Sequence, residues 1–262
     1  MSASPDSFRH QLGGAQAMKR LKALLKSMLG EPALGALDYV RHPELRDLWG
    51  GPFNGQLARA ALFRSLVAQL KPQAIIETGT YHGTTTEFMA QTGLPLFTVE
   101  NHPRNYGFSR ARLLRCRRVT VHRGDSRQFL RHLFQGPLRA FADRTLFAYL
   151  DAHGENDLPL ADEIDLIFGH CRAAVIMIDD FQVPDDKAYR YDDYGGADAL
   201  TPAYIEPSIR THDLQAYYPS VPAAQETGMR RGCVVLAKHA VHAAALASIS
   251  ALRKAKQKTG DA

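Results

Sequence analysis

The residues of this chain best placed for chemistry are acids, glycines and one histidine, each standing just after a short apolar run. The first group is Glu77-Thr78-Gly79-Thr80-Tyr81-His82-Gly83. Gly79 and Gly83 permit a tight turn and a close approach of backbone to ligand. A dinucleotide fingerprint would put another glycine two residues after the first, where a diphosphate presses on the main chain. This chain has Tyr81 there, so the turn suits a nucleoside without phosphates. Glu100 follows Gly79 by twenty-one residues. A carboxylate at that distance accepts both hydrogen bonds of a ribose diol, with Asn101 beside it. Gly124-Asp125-Ser126 is a third group. Asp125 suits an adenine amino group and Ser126 a further polar contact, although the same pair serves equally as a helix cap. Candidate cofactor contacts are therefore Glu77, Gly79, Tyr81, Gly83, Glu100, Asn101, Asp125, Ser126 and Asp151.

The remaining groups are Asp151-Ala152-His153 and Asp179-Asp180. Carboxylates gathered at one sheet edge are costly unless a cation or a proton intervenes. Oxygen ligands favour a hard ion, so Asp151, Asp179 and Asp180 form a candidate Mg²⁺ site. Consecutive strand residues point to opposite faces, and Asp179 and Asp180 share one ion only if the chain turns between them. His153 has a side chain that titrates near neutrality and suits a general base. With Asp151 it makes the candidate catalytic pair. A capping Asp151 and a solvated His153 are the plainer alternatives.

What positions these residues is a run of short strands. Ala74–Ile76, Leu96–Val99, Val119–Val121, Leu146–Leu150 and Ala173–Ile178 are continuous apolar segments, as in strands buried on both faces. Helical stretches lie between them, near 84–91, 109–114, 126–134 and 158–168. Alternation of this kind implies βαβ units and a parallel sheet. Ligands of such sheets sit at the carboxyl ends of the strands, which is where every candidate residue stands. Later runs at 214–218 and 233–237 read as an antiparallel pair, and a basic, Ala-rich helix is expected over 241–256.

Taken together, these motifs resemble class I S-adenosylmethionine-dependent methyltransferases over about residues 55–240. The resemblance implies a Rossmann-like α/β three-layer sandwich with a mostly parallel seven-stranded sheet whose last strand is antiparallel. It implies S-adenosylmethionine on the turn at Glu77–Gly83 and on Glu100. A narrower likeness is to the metal-dependent small-molecule O-methyltransferases grouped with cephalosporin hydroxylase-like proteins. There Asp151, Asp179 and Asp180 would hold Mg²⁺, and His153 stands where one subgroup has an acidic base. The implied reaction is methyl transfer to a hydroxyl oxygen of a small acceptor, such as a sugar or natural product.

Domain organisation follows from the same pattern. Residues 1–54 read as a tail with a helical extension, and 55–262 as the catalytic domain. The stretch 184–207 is expected as a lid carrying Tyr189, Tyr191, Tyr194 and Tyr204 over the acceptor. Residues 15–29 carry an amphipathic pattern that admits a homodimer, and residues 31–55 read as a connection. The net charge of +5 and a pI of 9.1 permit a nucleic-acid methyltransferase. Yet the chain has no N-P-P-Y or D-P-P-Y run and no Pro-Cys nucleophile. A hydroxylase would need a second histidine for iron, and a non-catalytic protein could retain the fold. Three scattered cysteines, no apolar membrane span and no signal-like start lead to a cytoplasmic expectation.

Overall fold

The computed structural model describes residues 29–154, 157–196 and 198–255. The expected amphipathic face over 15–29 lies outside these, apart from Leu29. Eight strands form one sheet: β1 (Ala74–Thr78), β2 (Leu96–Glu100), β3 (Val119–Arg123), β4 (Leu146–Leu150), β5 (Ala174–Ile178), β6 (Leu214–Pro219), β7 (Val234–Lys238) and β8 (Leu252–Lys254). Their order is β3-β2-β1-β4-β5-β7-β6-β8. The pairs among β1 to β5 are parallel, and β7 runs antiparallel between β5 and β6. This is the Rossmann-like sandwich expected, with one strand more than seven.

Every residue of β1, β4 and β5 is buried, which explains their unbroken apolar sequences. Alternate residues serve alternate cores. Ile76, Ala148 and Ile176 pack beneath α5 (Ser126–Gln135), α6 (Leu160–His170) and α7 (Pro202–His212). Ile75, Phe147 and Val175 pack beneath α2 (Leu57–Leu70) and the short α8 (Ala243–Ala247). Two further helices, α3 (Thr84–Ala90) and α4 (Pro103–Arg112), follow β1 and β2.

Two expectations are corrected. Residues 31–55 are more than a connection, because α1 (Glu31–Arg41) forms there with Pro32 and Glu31 in its first turn and Arg41 in its last. A side chain at Gly35 would overlap the Arg104 carbonyl, and one at Gly107 the Pro32 carbonyl, so α1 and α4 meet backbone to backbone. The long terminal helix is replaced by α8 and β8. Leu246, Ile249 and Leu252 are buried, and β8 pairs with β6 through Tyr217, Tyr218 and Pro219, which covers an otherwise open sheet edge. Among the described residues no helix is long and apolar enough to cross a membrane.

Candidate functional site

The carboxyl tips of β1, β2, β4 and β5 meet at a cavity of about 710 Å³, within the size range of small-ligand sites. Gly79 has φ +86, and a Cβ there would overlap the Asp151 carbonyl. The tips of β1 and β4 therefore touch only because residue 79 is glycine. The Asp151 N–H donates to the Thr78 carbonyl at 2.9 Å. Gly83, at φ +76, opens α3. Tyr81 takes a positive φ of 47 without being glycine, and its N–H donates to Glu100 Oε2 at 2.7 Å. Its ring stacks on His82 at 4.1 Å, and His82 stacks on Phe108 at 3.9 Å.

Glu100 also accepts the His102 N–H on Oε1 at 2.8 Å. Each of its oxygens thus has one backbone donor and further lone-pair capacity for a diol. Burial raises its pKa, and these N–H groups oppose the rise. Glu77 is buried, with the Thr86 and Thr98 hydroxyls donating to Oε2 at 2.5 and 2.7 Å. Burial pushes its carboxyl up to about 7. Asn101 and Ser126 line the cavity. Asp125 lines it too, but its carboxylate caps α5, accepting from the N–H groups of Arg127 and Gln128. The Arg127 guanidinium lies 2.6 Å away and holds Asp125 below the usual carboxylate range.

On the β4 and β5 side, Asp151, His153 and Asp180 each place one ligand atom within 4.8 Å of the others. His153 Nε2 is 3.7 Å from Asp151 Oδ1, 4.0 Å from Asp180 Oδ2 and 3.5 Å from Asp192 Oδ2. Its side chain is only 4% exposed. Burial lowers its pKa against the pull of Asp180 and Asp192. Burial raises the Asp151 carboxyl well above its ordinary value, with Asp180 and Glu77 adding to the rise.

Asp179 does not join this group, which corrects the expected ligand set. It is fully buried, ion-paired with Arg59 and bonded by the Tyr149 hydroxyl. Asn54 adds a 3.4 Å contact. Strand alternation decides the matter: Asp179 points into the core, and the chain turns at Asp180, where φ is +51. The tyrosines of the 184–207 stretch do not line the cavity either. The Tyr189 hydroxyl donates to the Val221 carbonyl and the Tyr204 hydroxyl to the Leu158 carbonyl. Tyr194 donates to Asp192 at 2.6 Å. The stretch instead contributes Asp192.

Sequence reasoning missed Asp192, Arg231 and the segment 48–54, of which Leu48, Trp49, Gly51 and Asn54 line the cavity. Arg231 Nε bonds Asp180 Oδ1 at 2.7 Å, and its Nη2 pairs with Asp192 Oδ1. Nothing in the sequence separates Asp192 from Asp193 or Asp198, or Arg231 from Arg230.

No protein-family model matches the sequence, and no curated protein matches it. Among solved structures the chain is similar to an O-methyltransferase from Bacillus cereus in complex with SAH, at 18% identity over 70% of this chain and 81% of that one, with a TM-score of 0.48. It is also similar to the O-methyltransferase of tomaymycin synthesis from Streptomyces achromogenes, in complex with SAM, at 18% identity over 69% and 79% (TM-score 0.46). A cofactor-bound protein from MTB is 24% identical over 83% of this chain and 95% of its own, with a TM-score of 0.46. These likenesses are distant, and the chemistry of the site rests on the sheet order and the cavity.

The cavity itself discriminates among cofactors. Glu100, Asp125, Asp157, Asp180 and Asp192 line it, with Glu77 and Asp151, whose carboxyl pKa values burial raises, and among the described residues no lysine or arginine does. Such a wall repels a diphosphate and favours a ligand with a positive centre.

Proposed function

We propose that this protein transfers a methyl group from S-adenosylmethionine to a hydroxyl oxygen of a small molecule. The observation that carries this reading is the meeting of Gly79, Glu100 and Asp151 on one acid-lined cavity. When bound, S-adenosylmethionine supplies an electrophilic methyl on a sulfonium. Glu100 takes the ribose diol on the lone pairs left free by Tyr81 and His102. Gly79 lets the ligand approach the main chain, and Asn101 and Ser126 stand on the adenine side. The acidic wall offsets the sulfonium charge.

Asp151, His153 and Asp180 offer two oxygens and one nitrogen, a set that fits a divalent ion of the Mg²⁺ or Mn²⁺ kind. Such an ion would lower the pKa of an acceptor hydroxyl held there. Where the two carboxylates alone hold the ion, His153 Nε2 is left to receive the hydroxyl proton, since one nitrogen cannot do both.

Calorimetry with S-adenosylhomocysteine tests the cofactor assignment. The wild type binds it, and Glu100→Ala weakens binding about tenfold or more, since a lost charge-assisted pair of hydrogen bonds is worth about 1.5–3 kcal/mol. No binding by the wild type at about 1 mM ligand removes the assignment altogether.

A further inference from the structure

We propose that Arg231 is the built-in counter-cation of the Asp151–His153–Asp180–Asp192 cluster and that it holds down the cluster's affinity for a divalent ion. The inference rests on reading that cluster as a cation site. Asp180 and Asp192 divide their oxygens in the same way. Each gives Oδ1 to the Arg231 fork and turns Oδ2 toward His153. The guanidinium thus stands behind the carboxylates, and the buried histidine faces them from the cavity side. Asp180 and Asp192 share the one guanidinium, so carboxylates outnumber it in the cluster.

This arginine is placed by the fold. Its N–H donates to Gln56 Oε1 at 2.7 Å, and its carbonyl accepts from Gln56 Nε2 at 2.9 Å and from the Arg59 guanidinium. Gln56 and Arg59 are both buried. The next residue, Gly232, has room for no side chain, because a Cβ would overlap the Phe181 carbonyl. The Arg231 side chain is 16% exposed, so its position is fixed by packing as well as by charge.

Removing the guanidinium has two opposed effects. It takes away a positive charge that repels an incoming dication, and it takes away a donor that orients two carboxylates. The main chain of both acids and the Asp192 carboxylate keep other anchors. The Asp192 N–H donates to the Asp180 carbonyl at 2.9 Å, the Leu200 N–H to the Asp192 carbonyl at 2.9 Å, and the Tyr194 hydroxyl to Asp192 Oδ2. No second cation touches Asp180 or Asp192 among the described residues. The charge effect therefore wins.

Mn²⁺ binding to the full chain, read by the loss of the free-ion electron paramagnetic resonance signal, tests this with the wild type, Arg231→Met and Arg231→Lys. Arg231→Met is expected to bind about tenfold tighter or more, and Arg231→Lys within about threefold of the wild type, because the charge is kept. Wild-type affinity equal to or tighter than that of Arg231→Met overturns the proposal and leaves the cation site standing. No Mn²⁺ bound by the wild type or by Arg231→Met overturns both. If Arg231→Met folds only when Mn²⁺ is supplied, the ion has replaced the guanidinium and the proposal holds. If it does not fold with the ion either, Arg231→Gln decides: about tenfold tightening there upholds the proposal, and unchanged affinity overturns it.

Discussion

Asp179 and Asp180 are neighbours in sequence and belong to different parts of the molecule. Asp179 faces the core, where Arg59, Tyr149 and Asn54 surround it. Asp180 faces the cavity with Asp151, His153 and Asp192, and has Arg231 behind it. Each acid has an arginine, but the pairs do different things. On the core side both oxygens of Asp179 are spent within the fold. On the cavity side Asp180 spends one oxygen on Arg231 and turns the other toward His153. A buried ion pair with no open valence is architecture, whereas an ion pair with an open oxygen is a site.

The largest effect expected from breaking this contrast is at Arg59. Arg59→Met leaves Asp179 charged and buried without a cation, a loss of about 3–5 kcal/mol, measured by urea unfolding. Asp179→Asn added to it should restore much of that loss. A single-variant cost below about 1 kcal/mol would show that the core pair does not hold the fold as described.

Glu163 sharpens the core side of the comparison. It is buried on α6, takes the Thr78 hydroxyl at 3.3 Å, and makes no ion pair among the described residues. Burial pushes its carboxyl from 4.5 to about 7. The folded state therefore binds a proton that the unfolded chain releases, and this stabilisation is complete below pH 4.5 and lost as pH rises through about 7. Glu163→Gln should flatten the fall in stability across that window by about 3 kcal/mol relative to the wild type. Parallel curves for the two proteins, from denaturant unfolding at several pH values, would mean Glu163 is ionised throughout.

On the cavity side the expected effect moves from stability to turnover. Asp180→Asn should leave unfolding within about 1 kcal/mol of the wild type and lower methyl transfer about 100-fold, measured on any hydroxyl acceptor the wild type methylates. Equal losses of stability and turnover would place Asp180 with the core after all. The smallest change in the series is Glu100→Ala, confined to cofactor affinity.

Much of this arrangement was legible in the sequence. The strands β1 to β5 are readable because burial on both faces leaves continuous apolar runs. Gly79, Glu100 and Asp151 are readable because a parallel sheet gathers the residues after its strands at one edge. The opposite facing of Asp179 and Asp180 follows from strand alternation, but which of the two turns to the cavity depends on a positive φ at Asp180 that no local signal announces. The 241–256 segment misled because its Ala-rich composition favours helix, while the open edge of β6 drew Leu252–Lys254 into the sheet. Helix α1 carries only two buried residues, Leu34 and Gly35, too few to mark an apolar stripe.

By itself the sequence determined the strand–helix alternation and the glycine turn after β1, together with the acids at the strand tips, because these depend on periodicity and on chemistry within a few residues. Only the tertiary structure decided which charges meet. Arg231 reaches Asp180 across 51 positions, and the Gln56 contacts that place Arg231 span 175. Such pairs are chosen by packing in three dimensions, and a linear pattern holds no trace of them.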